Sequence, residues 1–362
     1  MDLERLIERT IAIQSIPAPT FSEGARAAWI HKEFSRLDLP QPEQDPIGNI
    51  YLRVPGGKKP PLVLTAHMDT VFPMETSLQI QRTSDSIHGP GIGDNSLSLG
   101  VLFELAEDLF KQTLPGDIWL VANVGEEGLG NLLGMRQVVS RFGDDVTGYI
   151  ILEGISLGHI YYKGLSVQRF RVSAKGPGGH SWIHSNRPSA IHVLVEISET
   201  LLNIELPEQP KSTLNIGLFH GGTTINSVAG KAFFELDLRS ETAETLDDLI
   251  FRVNEKISSF EVKDMAINVK NIGERPGGSL PIHHPLLQAA KQALISIGES
   301  NIQLEIGSTD ANVPLSMGLP AVCVGLTRGG GAHSMEEFIE IPPITRGYEA
   351  LLKMIQFAFE GV

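Results

Sequence analysis

Two hydrophobic patterns alternate along the first part of the chain. Ala27, Ile30, Phe34 and Leu37 fall on one helical face, and Thr20 with Glu23 fits a capping box before it. The runs "NIYLRV" and "PLVLTA" read as strands. Residues 96–110 predict a helix with Leu99, Leu102, Leu105 and Leu109 facing inward. "DIWLVANV" and "YIILE" are apolar almost throughout, as in strands covered on both faces. Strands alternating with helices predict an α/β domain with helices packed on a largely parallel sheet.

The pattern changes near residue 165. "SVQRFRVSAKG" alternates like a strand with one buried face, and a helix is expected over 189–202. "TLNIGLFHGG" and "KAFFELDLRS" follow as strands, then a helix over 242–260 and a last strand at "MAINVKNI". That order is β-α-β-β-α-β, the split ferredoxin-like arrangement. The α/β pattern resumes near Pro285 and continues through "AVCVGL". The expected organisation is one domain made from both ends, 1–164 and 273–362, with a smaller one, 165–272, inserted between them.

Composition narrows the function classes. The chain has 362 residues, 41% hydrophobic and 20% charged, the balance of a globular protein. Its net charge of −14 argues against a non-specific nucleic-acid binder, which would present a basic face. No apolar run approaches the roughly 20 residues of a membrane span, and the start "MDLERLIERTIAIQSIP" lacks the basic opening and apolar block of a signal peptide. The lone cysteine, Cys323, cannot form an internal disulfide and reads as a small buried hydrophobe. A cytoplasmic protein with no membrane or nucleic-acid partner is expected.

Acids and histidines stand where predicted strands end. His67 follows "PLVLTA", Glu126 and Glu127 follow "DIWLVANV", Glu153 ends "YIILE", and His333 follows "AVCVGL". Asp94 lies in the glycine-rich "HGPGIGDNS" just before a predicted helix. Ligands bind at the carboxyl ends of strands in open α/β sheets. Histidine and carboxylate are the donor types for zinc or a similar divalent ion, and the set is large enough for two. His67 and Asp69, two apart on an extended chain, point the same way, so Asp69 is a candidate support for the imidazole. Each residue alone has a plainer reading: a surface histidine, a solvated acidic turn, a flexible loop. "GSTDAN", 307–312, reads equally as a turn near the site or a helix cap. His88, His184, His220, His283 and His284 carry no comparable case.

Taken in order, "HMDTV", "GIGDN", "GEEGLG", "LEG", "GPGGHS" and "GAHSMEE" resemble the M20 metallopeptidases: carboxypeptidases, tripeptidases, aminoacylases and deacylases. The resemblance spans most of the chain. It implies a zinc-peptidase-like catalytic domain with a mostly parallel sheet and an inserted ferredoxin-like α+β lid or dimerisation domain. It implies two divalent ions, zinc first, with cobalt or manganese as alternatives. Asp94 would bridge them, with His67 and Glu153 completing one site and Glu127 and His333 the other. Glu126 would be the general base and Asp69 a support. His180 would stabilise the oxyanion, in dimeric members from the neighbouring subunit. Asn226 and Arg239 resemble residues that contact a substrate carboxylate.

Asn95 and Ser96 depart from many relatives, which carry an acidic residue or glycine and then lysine after the bridging aspartate. The departure leaves the subfamily open. Glutamate at position 153 leans toward carboxypeptidases and deacylases. The expected activity is therefore hydrolysis of amide bonds in small peptides or N-acyl amino acids by a homodimer joined through the insert. An aminopeptidase or tripeptidase is the alternative, and a non-catalytic metal-stabilised binding protein a third reading.

Overall fold

The apolar run at 61–66 lies inside a strand, Lys59–His67, whose last six residues are buried. It sits between two parallel neighbours, Gly116–Asn123 and Gly148–Glu153, and the latter pairs in parallel with Ala321–Gly325. These four strands form the middle of a nine-stranded sheet in the computed structural model, which describes residues 1–361. Register aligns their carboxyl ends: His67 lies opposite Asn123, and Glu153 opposite Gly325. The residues that follow each strand therefore emerge along one edge of the sheet. The result is a mixed α/β fold with a mostly parallel centre.

The Leu97–Leu109 helix covers this sheet and also packs against the Leu3–Gln14 helix. The four predicted leucines are buried, but so is nearly every other position, including Glu104. Sandwiching between sheet and helix, rather than one-sided packing, explains why. Glu104 is accommodated by two guanidinium groups: Arg5 Nε and Nη2 at 3.0 and 2.9 Å, and Arg9 Nη1 at 2.9 Å. A buried carboxylate is tolerated only with such charge-assisted partners.

Two local expectations are corrected. The helix predicted from residue 96 begins at Leu97; Ile92–Ser96 form a wider turn in which Asp94 and Asn95 leave helical geometry. Wide turns of this kind gather at functional sites. The capping box is not formed either. The Gly24–Phe34 helix starts after Glu23, whose carboxylate accepts from the N–H groups of Phe21 and Gly125, while Thr20 turns its hydroxyl to Asp69.

The chain divides into two compact units, Met1–Gly164 with the segment from Gly278 onward, and Leu165–Gly277. Each has its own apolar core. The second unit carries four long strands in the order Ser212–Gly221, Lys231–Ser240, Ser166–Lys175, Ala266–Arg275, all antiparallel to their neighbours. Helices Ala190–Leu202 and Ala243–Ser258 touch each other and the two central strands. This unit runs on to Gly277 rather than ending at 272. A bulge between Asn271 and Gly273 breaks the alternation, yet pairing continues to Arg275 opposite Val167.

Cys323 is fully buried in the central sheet, and burial pushes its thiol well above the usual value. The thiolate, not the thiol, reacts. Native protein should therefore stay unmodified by a disulfide thiol reagent over an hour, while unfolded protein releases one equivalent. Fast reaction of the native chain would contradict the packing described.

Candidate metal centre

The aligned strand ends and the loops beyond them bring His67, Asp94, Glu127, Glu153 and His333 together. His67 Nε2 lies 2.9 Å from Asp94 Oδ1 and 3.8 Å from Glu153 Oε2. His333 Nε2 lies 3.1 Å from Asp94 Oδ2 and 3.0 Å from Glu127 Oε1. Asp94 thus offers one carboxylate oxygen to each half of the cluster.

Glycine allows this approach. A side chain at Gly154 would place its Cβ 2.0 Å from the Gly93 carbonyl oxygen, so the Glu153 strand end and the Asp94 loop could not meet. His333 adopts φ +65°, left-handed backbone that few non-glycine residues take and that gathers at functional sites. Asn95, expected only as a departure from relatives, is buried and donates from Nδ2 to the Leu152 carbonyl at 2.8 Å. It ties the Asp94 loop to the strand that carries Glu153.

Asp69 supports the site differently from expectation. The His67 Nδ1 contact at 3.0 Å is the backbone oxygen of Asp69, and the carboxylate stands off at 3.6 Å. The carboxylate is turned to the N–H groups of Glu126 and Glu127, at 2.9 and 2.8 Å, and to the Thr20 hydroxyl at 2.9 Å. It therefore anchors the turn that presents both glutamates. Glu126 is 5% exposed, and its charge, with that of Glu153, acts on the thiol of Cys323 below the site.

The electrostatics fit a cation. Burial pushes Glu153 up to about 7. Burial opposes the charge of His67, but the nearby carboxylates of Asp69, Asp94 and Glu153 carry its pKa well above the usual histidine value. Hydrogen bonds to Asp94 and Glu127 push His333 up to about 10. Asp94 is raised by burial yet held well below the carboxylate range by the two imidazoles. With both imidazoles neutral, as metal ligands must be, the three carboxylates leave a net negative pocket, which divalent ions neutralise. Zinc bonded at 2.0–2.1 Å requires tetrahedral ligand atoms to lie about 3.3 Å apart, and the four separations above span 2.9 to 3.8 Å. Ligand atoms of His67, Asp94 and Glu127 all lie within 4.8 Å of one another. The donor set fits.

Three supporting residues escape sequence reasoning. Arg26 is buried on the Gly24–Phe34 helix and donates to the carbonyls of Ile16 and Met68, pinning the turn after His67. Asp310, within "GSTDAN", is buried, accepts from Asn123 Nδ2 at 2.7 Å and acts electrostatically on Glu153. Glu337 is buried against the Asp94 loop. Asp310 and Glu337 lie within "GSTDAN" and "GAHSMEE", stretches that by themselves give neither residue a role, and nothing in the sequence marks Arg26.

The other predicted residues belong to the second unit. His180 pairs across a short ladder with Ser227, and the Asn226 carbonyl accepts from Ser181 N–H at 3.0 Å, so His180 and Asn226 are neighbours. Arg239 is not beside them: it lies at the far end of the Lys231–Ser240 strand, opposite Val167, with its Nε 2.7 Å from Asp237 Oδ1.

The family model for Peptidase family M20/M25/M40 matches residues 63–356. YqjE of Bacillus subtilis strain 168, an uncharacterized protein, is 23% identical, with 98% of each chain aligned. Succinyl-diaminopimelate desuccinylase of Corynebacterium glutamicum is 25% identical over 93% of this chain and 92% of its own. A tripeptidase from Staphylococcus aureus subsp. aureus Mu50 superposes with a TM-score of 0.82 at 21% identity, covering 99% of each chain. A family match across most of the length, on a fold that gathers the motif residues at one sheet edge, means that the chain belongs to peptidase family M20/M25/M40 and is a hydrolase of amide bonds.

Proposed function

We propose that the chain is a binuclear, zinc-dependent hydrolase of small peptides or N-acyl amino acids bearing a free carboxylate. The observation that carries the two-ion reading is Asp94, whose two oxygens face different histidines. His67, Asp94 and Glu153 would hold one ion, and Asp94, Glu127 and His333 the other. Bound there, the ions would polarise the scissile carbonyl and lower the pKa of a water. Glu126 takes a proton from the attacking water and delivers it to the amine nitrogen as the C–N bond breaks. Its backbone is held by Asp69, which fixes the base beside the ligand Glu127.

The second unit supplies the rest of this reading. His180 donates to the oxyanion from a neighbouring subunit, and Asn226, adjacent to it, contacts the same substrate. An edge strand, Ser212–Gly221, favours pairing of two inserts: its outer half is exposed and carries Leu218 and Phe219. Trp182 and Ile225 add exposed apolar surface to this unit, at 86% and 105% of the reference values. Among the described residues no helix is long and apolar enough to cross a membrane; a cytoplasmic location remains part of the proposal, consistent with one buried thiol.

Arg239 separates two substrate readings. A guanidinium fork suits a carboxylate, which favours the carboxypeptidase or deacylase reading and the desuccinylase relative. Its existing pair with Asp237 favours the aminopeptidase or tripeptidase reading instead. Purified protein should be assayed on matched acid and amide forms of N-acyl amino acids and dipeptides. Preference for the acid form, with a KM raised about tenfold or more by Arg239→Ala, supports the first. Equal turnover of both forms, unaffected by the substitution, establishes the second.

A further inference from the structure

Four residues beyond His333 the chain buries a carboxylate that none of the assigned roles uses. Glu337 is fully buried, with no accessible surface. Its Oε2 accepts the N–H of Gly91 at 2.8 Å, and its Oε1 accepts the N–H groups of Gly93 and Asp94, each at 2.8 Å. Its own carbonyl accepts the N–H of Gly89 at 2.8 Å. One residue thus gathers four backbone donors from the loop that ends in Asp94. Successive N–H groups form a concave anion site, and here a side chain from far along the sequence fills it.

The other end of the connection is equally constrained. Ser334 N–H donates to Gly331 O and Glu337 N–H to Ser334 O, so the turn carrying His333 closes directly onto Glu337. The Phe338–Glu340 strand that follows pairs with Ser86–His88, the strand leading into the same glycine-rich loop. Asp94 and His333 therefore approach one another, at 3.1 Å, through elements both fastened at Glu337.

We propose that Glu337 is a positioning residue that fixes the Asp94 loop against the His333 turn and so presets the second ion's site. The inference rests on the two-ion reading above. Its consequence is asymmetric. The site made by His67, Asp94 and Glu153 retains an independent tie, through Asn95 to Leu152. The site made by Asp94, Glu127 and His333 depends on Glu337. Replacing a group that orients ligands typically costs 10- to 100-fold in metal affinity.

The test is calorimetric titration of metal-free protein with zinc, beside cobalt absorption spectra, for wild type, Glu337→Gln and Glu337→Ala. Glutamine keeps one acceptor but turns an NH2 group toward the loop donors. The inference expects two ions in wild type. In Glu337→Gln it expects one ion at wild-type affinity and the second weakened at least 10-fold, with a further loss in Glu337→Ala. If alanine prevents folding, glutamine alone carries the test. Two ions in wild type with unchanged affinities in Glu337→Gln would overturn the inference while leaving the two-ion reading standing. Equal weakening of both ions, together with a lower melting temperature of the metal-free variant, would make Glu337 merely structural and overturn it as well. A wild type that binds fewer than two ions would overturn the two-ion reading itself.

Discussion

Glu126→Gln should retain both ions and bind substrate, yet lose roughly 10²–10⁴-fold in kcat, the loss typical of a missing general base. The amide keeps the size and hydrogen bonding of the side chain but accepts no proton at neutral pH. Its backbone N–H still donates to Asp69, so the turn presenting Glu127 stays in place. Glu127→Gln should fail differently. Its carboxylate faces His333 Nε2 at 3.0 Å, so the change weakens an ion rather than proton transfer, and excess zinc restores part of the activity. Metal content and kcat measured on the same preparations separate the two. Loss of an ion by Glu126→Gln with full retention by Glu127→Gln would mean the roles are exchanged.

The larger effect on metal content should come from Asp94→Ala. One carboxylate serves both histidines, at 2.9 and 3.1 Å, so its removal strips a ligand from each half at once. Zinc retained after loading and desalting should fall below one ion per chain. Single removal of Glu153 or His333 should leave about one, because each belongs to one half only. A chain that kept two tightly held ions after Asp94→Ala would show that the aspartate is not shared. Circular dichroism of the metal-free variant guards against unfolding as the cause. The backbone of the Asp94 loop is still fastened by Glu337 and Asn95, so the fold should persist.

Much of this centre was legible because strand ends are legible. The apolar run before His67 predicts a buried strand, and a polar residue directly after such a run lies at its carboxyl end. The same logic finds Glu127 and Glu153, whose strands flank the His67 strand on either side. Asp94 and His333 lie on loops, where spacing says little, and the family motifs locate them. The supporting groups were hidden for physical reasons. Arg26 reads as the polar face of an amphipathic helix, although its guanidinium is buried on backbone carbonyls. Glu337 reads as half of an acidic turn, because backbone donors leave no side-chain pattern. Thr20 has the composition of a helix cap and instead serves Asp69. In the second unit, the alternating strands were plain until the bulge at Asn271 shifted the register and concealed the last residues of the sheet.

The central claim is that Asp94 joins two metal sites in one cluster, and the most direct measurement is the zinc stoichiometry of the wild-type chain. Metal-free protein titrated with zinc in a calorimeter, with bound metal confirmed by elemental analysis after desalting, should saturate at two ions per chain. Saturation at one, or retention of none after desalting, would contradict the binuclear centre.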